Sequence, residues 1–105
     1  MSAERIARLQ EFLAKDPNDS FTRYAVAMEY AGQGNHGSAI TALEELLQRD
    51  GTYIPAYHQL GVLYERAKRL NEASVVLRKG ISVARNQNEL HAAEEMEEAL
   101  NDLSE

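Results

Sequence analysis

Histidine, serine and acid–base pairs are the side chains of this 105-residue chain that could carry chemistry, and their spacing argues against each use. His36, His58 and His91 lie far apart in the chain, whereas ligands sharing a metal on one helix recur within about three to five residues. The chain has no cysteine, which removes thiolate catalysis and any disulfide framework. Gly32-Gln33-Gly34 lacks the flanking pattern of a phosphate loop and reads as a helix stop. No serine has a base at a telling spacing, and no GxSxG or HExxH sequence occurs. His58 and Glu65 could share a helix face, which suits a solvated pair better than a catalytic dyad. The expectation is a protein that is not an enzyme and uses neither metal nor cofactor.

Composition narrows the remaining classes. Hydrophobic content of 44% with 27% charged residues is ordinary for a folded chain of about one domain. No apolar run is long enough for a membrane span, and the first residues lack the apolar segment of a signal peptide. A cytoplasmic location is expected. The formal net charge of −6 is unevenly placed. Residues 88–105 contain Glu89, Glu94, Glu95, Glu97, Glu98, Asp102 and Glu105 but no Lys or Arg. The preceding segment holds Arg66, Lys68, Arg69, Arg78, Lys79 and Arg85 against one acid, Glu72. With no aromatic stacking set beside those bases and a negative chain overall, nucleic acid is not an expected partner.

What must position any binding surface is a repetition. Sliding Arg23–Leu46 forward lays it on Tyr57–Gly80, with Val26 on Leu60, Ala27 on Gly61, Tyr30 on Tyr64, Ala39 on Ala73 and Leu43 on Leu77. A fixed period of about 34 residues marks a solenoid assembled from one supersecondary unit. Within each copy the apolar positions recur at gaps of three and four, which places them on one face of a helix. Small residues at Ala27/Gly61 and Ala39/Ala73 suit the close approach of two helices in one hairpin. Tyr30 and Tyr64 are the large fillers beside them.

These positions resemble the tetratricopeptide repeat family, whose pattern runs aromatic, Leu-Gly, Tyr, then Ala, a large apolar residue, Ala and finally Pro. The second copy matches at Tyr57, Leu60-Gly61, Tyr64, Ala73 and Leu77. The first keeps Ala27, Tyr30, Gly34, Ala39 and Leu43, with Arg23 in place of the aromatic and Val26 in place of Leu. Pro17 falls at a family Pro position, whereas Gly51 occupies the next and Pro55 comes four positions later. The resemblance implies an all-α, right-handed α-α superhelix of about six helices. It divides a single domain, 1–105, into a flanking helix (1–19), repeat one (20–53), repeat two (54–87) and a capping helix (88–105).

Periodicity predicts helices over 3–15, 21–31, 37–49, 54–67, 71–84 and 89–103. The first takes the place of a second-type helix without its hairpin partner, with Ile6, Leu9, Phe12 and Leu13 on one side. Leu70, Ala73, Leu77 and one of Val75 and Val76 are expected in the core, and Leu90, Ala93, Met96, Leu100 and Leu103 in one stripe. The acidic last helix reads as a solubilising cap beside the basic segment, or as a surface for a basic partner.

In that family the first helix of each pair lines a concave groove. Carried onto this chain, the ligand-facing positions are Phe21, Tyr24, Met28, Ala31 and Gly32 in repeat one, and Pro55, His58, Val62, Glu65 and Arg66 in repeat two. If the last helix follows the frame, it adds Glu89, Ala92, Met96, Ala99 and Leu100, although Met96 also belongs to the packing stripe. Phe21, Tyr24, Met28, His58, Val62, Glu65 and Arg66 form the candidate peptide-binding set. Family members that clamp a terminal carboxylate need Lys, Asn and Arg at several of these places, and this chain offers Tyr24, Met28, His58 and Val62 instead. The expected partner is a peptide or amphipathic helix gripped by apolar anchors. Self-association as a homodimer, through the groove or the last helix, is the alternative.

Overall fold

The computed structural model describes residues 2–103 and contains, among them, six α-helices and no strand. These are α1 (Ser2–Lys15), α2 (Ser20–Gly32), α3 (His36–Arg49), α4 (Ile54–Arg66), α5 (Leu70–Asn86) and α6 (Leu90–Leu103). The start of α4 follows that of α2 by one full period, and the starts of α1, α3 and α5 follow one another at the same interval. The chain divides into two compact units, Met1–Gly51 and Thr52–Glu105.

In the first unit α1 packs on α2, and α2 forms a hairpin with α3. Ala27, Ala39, Leu43 and Leu46 have no exposed surface. The turn into α2 is fixed by Asp19, whose carboxylate accepts from the Thr22 backbone N–H at 3.4 Å and from its hydroxyl at 2.8 Å. This satisfies one of the orphan donors of the first turn and the buried Thr22 hydroxyl together. Asn35 caps α3 in the same way, accepting from Ser38 N at 3.3 Å.

Arg23, at the position where the repeat calls for an aromatic, does an aromatic's work by other means. Its side chain is 14% exposed. The stem is covered, while Nε donates to the Pro17 carbonyl at 2.7 Å and Nη1 meets Glu45 Oε2 at 3.3 Å. Tyr24, the next residue, is half-buried.

In the second unit α4 and α5 form the hairpin, and α6 packs on α5 and on α4. Pro55 stands in the first turn of α4, where its missing N–H costs no hydrogen bond. The hairpin is close because its glycines permit it. A Cβ on Gly61 would lie 2.6 Å from Leu77 Cδ2. One on Gly80 would lie 2.5 Å from Tyr57 Cβ and 2.6 Å from Met96 Sδ.

Three helices end in the same turn. After α2, α4 and α5 a residue takes positive φ, at Gly34 (78°), Lys68 (61°) and Asn88 (61°). The next N–H returns to the helix each time, Asn35 to Tyr30, Arg69 to Tyr64 and Glu89 to Ala84, at 2.8–2.9 Å. These are Schellman stops. Gly and Asn tolerate the left-handed region, whereas a lysine there is strained by its Cβ. Lys68→Gly should therefore stabilise the protein by about 0.5–1 kcal/mol, the strain relief exceeding the added freedom of the unfolded chain. The urea midpoint would rise, and an unchanged or lower midpoint would contradict the assignment.

Three apolar side chains lie outward against expectation: Phe12 is 64%, Leu70 49% and Leu90 58% exposed. Val75, 70% exposed, is the outward member of a pair of which one was expected inside. Val75 and Val76 are adjacent, so a helix can bury only one, and Val76 is the half-buried member.

Candidate functional site

The structure places the seven candidate residues on two helices, one in each unit. On α2, Phe21, Tyr24 and Met28 follow at gaps of three and four and share one face. Phe21 is 70% exposed, and Tyr24 and Met28 are half-buried. Elsewhere on α2, Val26 and Ala27 go to the core. On α4, His58, Val62, Glu65 and Arg66 recur at gaps of four, three and one and again share a face. His58 and Val62 are half-buried, Glu65 and Arg66 exposed. The first face offers an aromatic, a phenol and a flexible thioether; the second offers an imidazole, a small aliphatic and a charge pair.

Met96 leaves the set of ligand-facing positions. It has no exposed surface, and its sulfur sits against Gly80. Helix α6 begins at Leu90 rather than at residue 88, where the repeat frame would start it, because α5 runs on to Asn86. The frame therefore does not carry family positions onto α6.

The electrostatics of the second unit are local. Arg85 pairs with Glu97, which joins basic α5 to acidic α6 as the charge division suggested. Arg69 has a different use. Its guanidinium forks onto both Glu72 oxygens at 2.6 and 2.7 Å and lies 4.7 Å from the Tyr64 ring centroid. That hydrogen bond to Arg69 holds the Glu72 carboxyl below its ordinary value, outweighing the desolvation that would raise it. A lowered carboxylate contributes its stability above the unfolded pKa and loses it as pH falls, so the fork is intact at neutral pH. No group of three or more His, Asp or Glu residues among the described residues is arranged to hold a metal.

The groove pattern missed one feature. Between α4 and α5 lies an open cavity of about 470 Å³ lined by Tyr57, Tyr64, Asn71, Glu72, Val75, Val76 and Lys79. Its signal was the Val75-Val76 pair, which forces one apolar branch outward.

Two tetratricopeptide repeat profiles match, over residues 30–103 and 1–56. A tetratricopeptide repeat domain protein from Salinibacter ruber is similar at 36% identity and a TM-score of 0.78, over 82% of this chain and 96% of that one. The TPR2B domain of yeast Sti1, in a complex with pHsp70, superposes with a TM-score of 0.89 at 16% identity, over 98% of this chain and 82% of that one. The Yersinia enterocolitica type III secretion translocator chaperone SycD gives 0.88 at 14% identity, over 98% and 72%. The last two show likeness of fold alone. No match was found among curated protein sequences.

Proposed function

Because the chain belongs to the tetratricopeptide repeat family, we propose that it is a non-catalytic, cytoplasmic interaction module. In this reading 20–53 and 54–87 are the two repeats of one domain, with α1 and α6 flanking them. Its ligand is a peptide or amphipathic helix received on the first-type helices α2 and α4, the surface the family uses as its concave groove. The observation that carries this reading is Phe21, 70% exposed on a face shared with Tyr24 and Met28. An unpaired aromatic beside a phenol and a thioether is the composition of a binding hot spot, and the thioether adapts to differing ligand shapes. That the Sti1 domain is seen in complex with pHsp70, and that SycD is a chaperone, supports a protein ligand by analogy of fold. Without Lys and Asn on these faces, a terminal carboxylate is not the anchor; apolar side chains at helical spacing are.

Selection of a phage library of helical peptides on the immobilised chain tests this. Enriched peptides should carry apolar residues at gaps of three and four. The triple variant Tyr24→Ser, Met28→Gln, His58→Ser should weaken them roughly tenfold or more, since anchor contacts dominate affinity. Full binding by that variant would remove the assignment.

A further inference from the structure

The two hairpins carry the same hollow one period apart, and its chemistry differs between them. In the first unit it measures about 200 Å³, and its lining includes Arg23, Tyr30, Ala42 and Glu45. The cavity of about 470 Å³ between α4 and α5 has Tyr57, Tyr64, Val76 and Lys79 at the corresponding positions. The first hollow is electrostatically complete, because Arg23 and Glu45 pair at 3.3 Å. The second lacks that pair. A phenol stands for the guanidinium, and an ammonium stands for the carboxylate. Where the first repeat has Thr41, the second has Val75, 70% exposed.

What results is an apolar cavity with one uncompensated cation. Tyr57 and Tyr64 are buried and floor it, while Val75 and Val76 form its α5 wall. Glu72 is the acid in the lining, and Arg69 already holds both of its oxygens. It therefore does not offset Lys79. The Lys79 ammonium is exposed and makes no ion pair or hydrogen bond among the described residues.

We propose that this cavity receives a small amphiphilic carboxylate, its alkyl or aryl body against Tyr57, Tyr64, Val75 and Val76 and its anion at Lys79. Volume fits the class, since small-molecule sites measure about 300–1,000 Å³ and set a few polar groups in apolar walls. Charge selects the anion, because Lys79 has the place that Glu45 fills in the first repeat and lacks the acid that would neutralise it. Length favours one small molecule over a docked segment. Asn71 and Lys79, the outermost lining residues of α5, stand eight positions apart, roughly 12 Å along a helix. Extended chain advances about 3.3 Å per residue, so fewer than four residues would fit. The proposal uses none of the candidate peptide-facing residues and stands or falls apart from the peptide-binding reading.

Titration of nitrogen-15-labelled protein with 4-phenylbutanoate provides the test, with 4-phenylbutanamide as its uncharged twin. The acid should shift the backbone amides of Val75, Val76 and Lys79 and saturate with a Kd on the order of 1 mM, as the efficiency of small ligands allows. The amide should bind about threefold more weakly, the worth of one exposed ion pair. Lys79→Met should erase that preference, and Lys79→Glu, which restores the sign found in the first repeat, should weaken the acid about tenfold. Lys79 is exposed, so both variants should keep the circular dichroism of the parent. No saturation in the millimolar range, equal binding of acid and amide, or undiminished affinity in Lys79→Glu would overturn the proposal. So would shifts centred on Phe21, Tyr24 and Met28. Shifts of the cavity amides by an acetylated Phe-Glu dipeptide amide, but not by the free acid, would overturn it in favour of a protein segment.

Discussion

Gly80→Val should destabilise the protein by about 3 kcal/mol, at the upper end of what overpacking a closed site costs. A Cβ at that position would sit 2.5 Å from Tyr57 Cβ. That atom is fixed to the α4 backbone, so rotating a side chain cannot clear it. Met96 Sδ, 2.6 Å away, can move only by leaving a site with no exposed surface. The helices must shift, and α5 is held on both sides. Replacing Gly in a helix interior otherwise gains up to about 1 kcal/mol, and Ala gains the most. Gly80→Ala, with the first clash but no branches, should therefore also destabilise, by less. In a chain this size the valine variant should melt on the order of 15 °C lower. A melting temperature within a few degrees of the parent would mean that the α4–α5–α6 packing is looser than described.

Leu77→Ala should cost about 2–5 kcal/mol, the range for emptying a buried leucine site, since Leu77 is only 1% exposed. The informative measurement is its coupling to Gly61. A Cβ on Gly61 would meet three Leu77 carbons, at 2.6, 2.7 and 3.3 Å. Gly61→Ala should thus destabilise the native protein, because Leu77 is enclosed and cannot yield. In the Leu77→Ala background the same change should stabilise, filling vacated space and gaining helix propensity. The double-mutant cycle should return a coupling of about 1–3 kcal/mol, within the range for residues in contact. Additive effects on the urea midpoints would refute the contact.

The period was legible because it rests on residues with one local meaning. The small positions Ala27, Ala39, Gly61 and Ala73 and the fillers Tyr30 and Tyr64 occur at fixed offsets, and the helix starts keep the same interval. Gly34 announced its turn, since glycine accepts positive φ without strain. Lys68 did not, because lysine is an ordinary helix residue. Arg23 reads as a defect in the repeat until its two acceptors are placed beside it, and the Pro17 carbonyl is invisible to side-chain pattern. Phe12, Leu70 and Leu90 show the limit of periodicity: a stripe gives a direction, and burial also needs something on that side. The residues proposed to face a peptide were placed by family position, so their helix and face could be read while their ligand could not.

Met96 adds a chemical consequence to the packing of α6. Its thioether has no exposed surface and lies against Gly80, so an oxidant in solution reaches it only while α6 is lifted away. Oxidation would attach a polar oxygen where the Gly80 backbone leaves no room for one. Each brief opening would thereby be held until the oxygen is removed, and the sulfoxide would act as a ratchet against closure. Cellular reductase capacity, as much as packing energy, would then set how long the last helix stays in place.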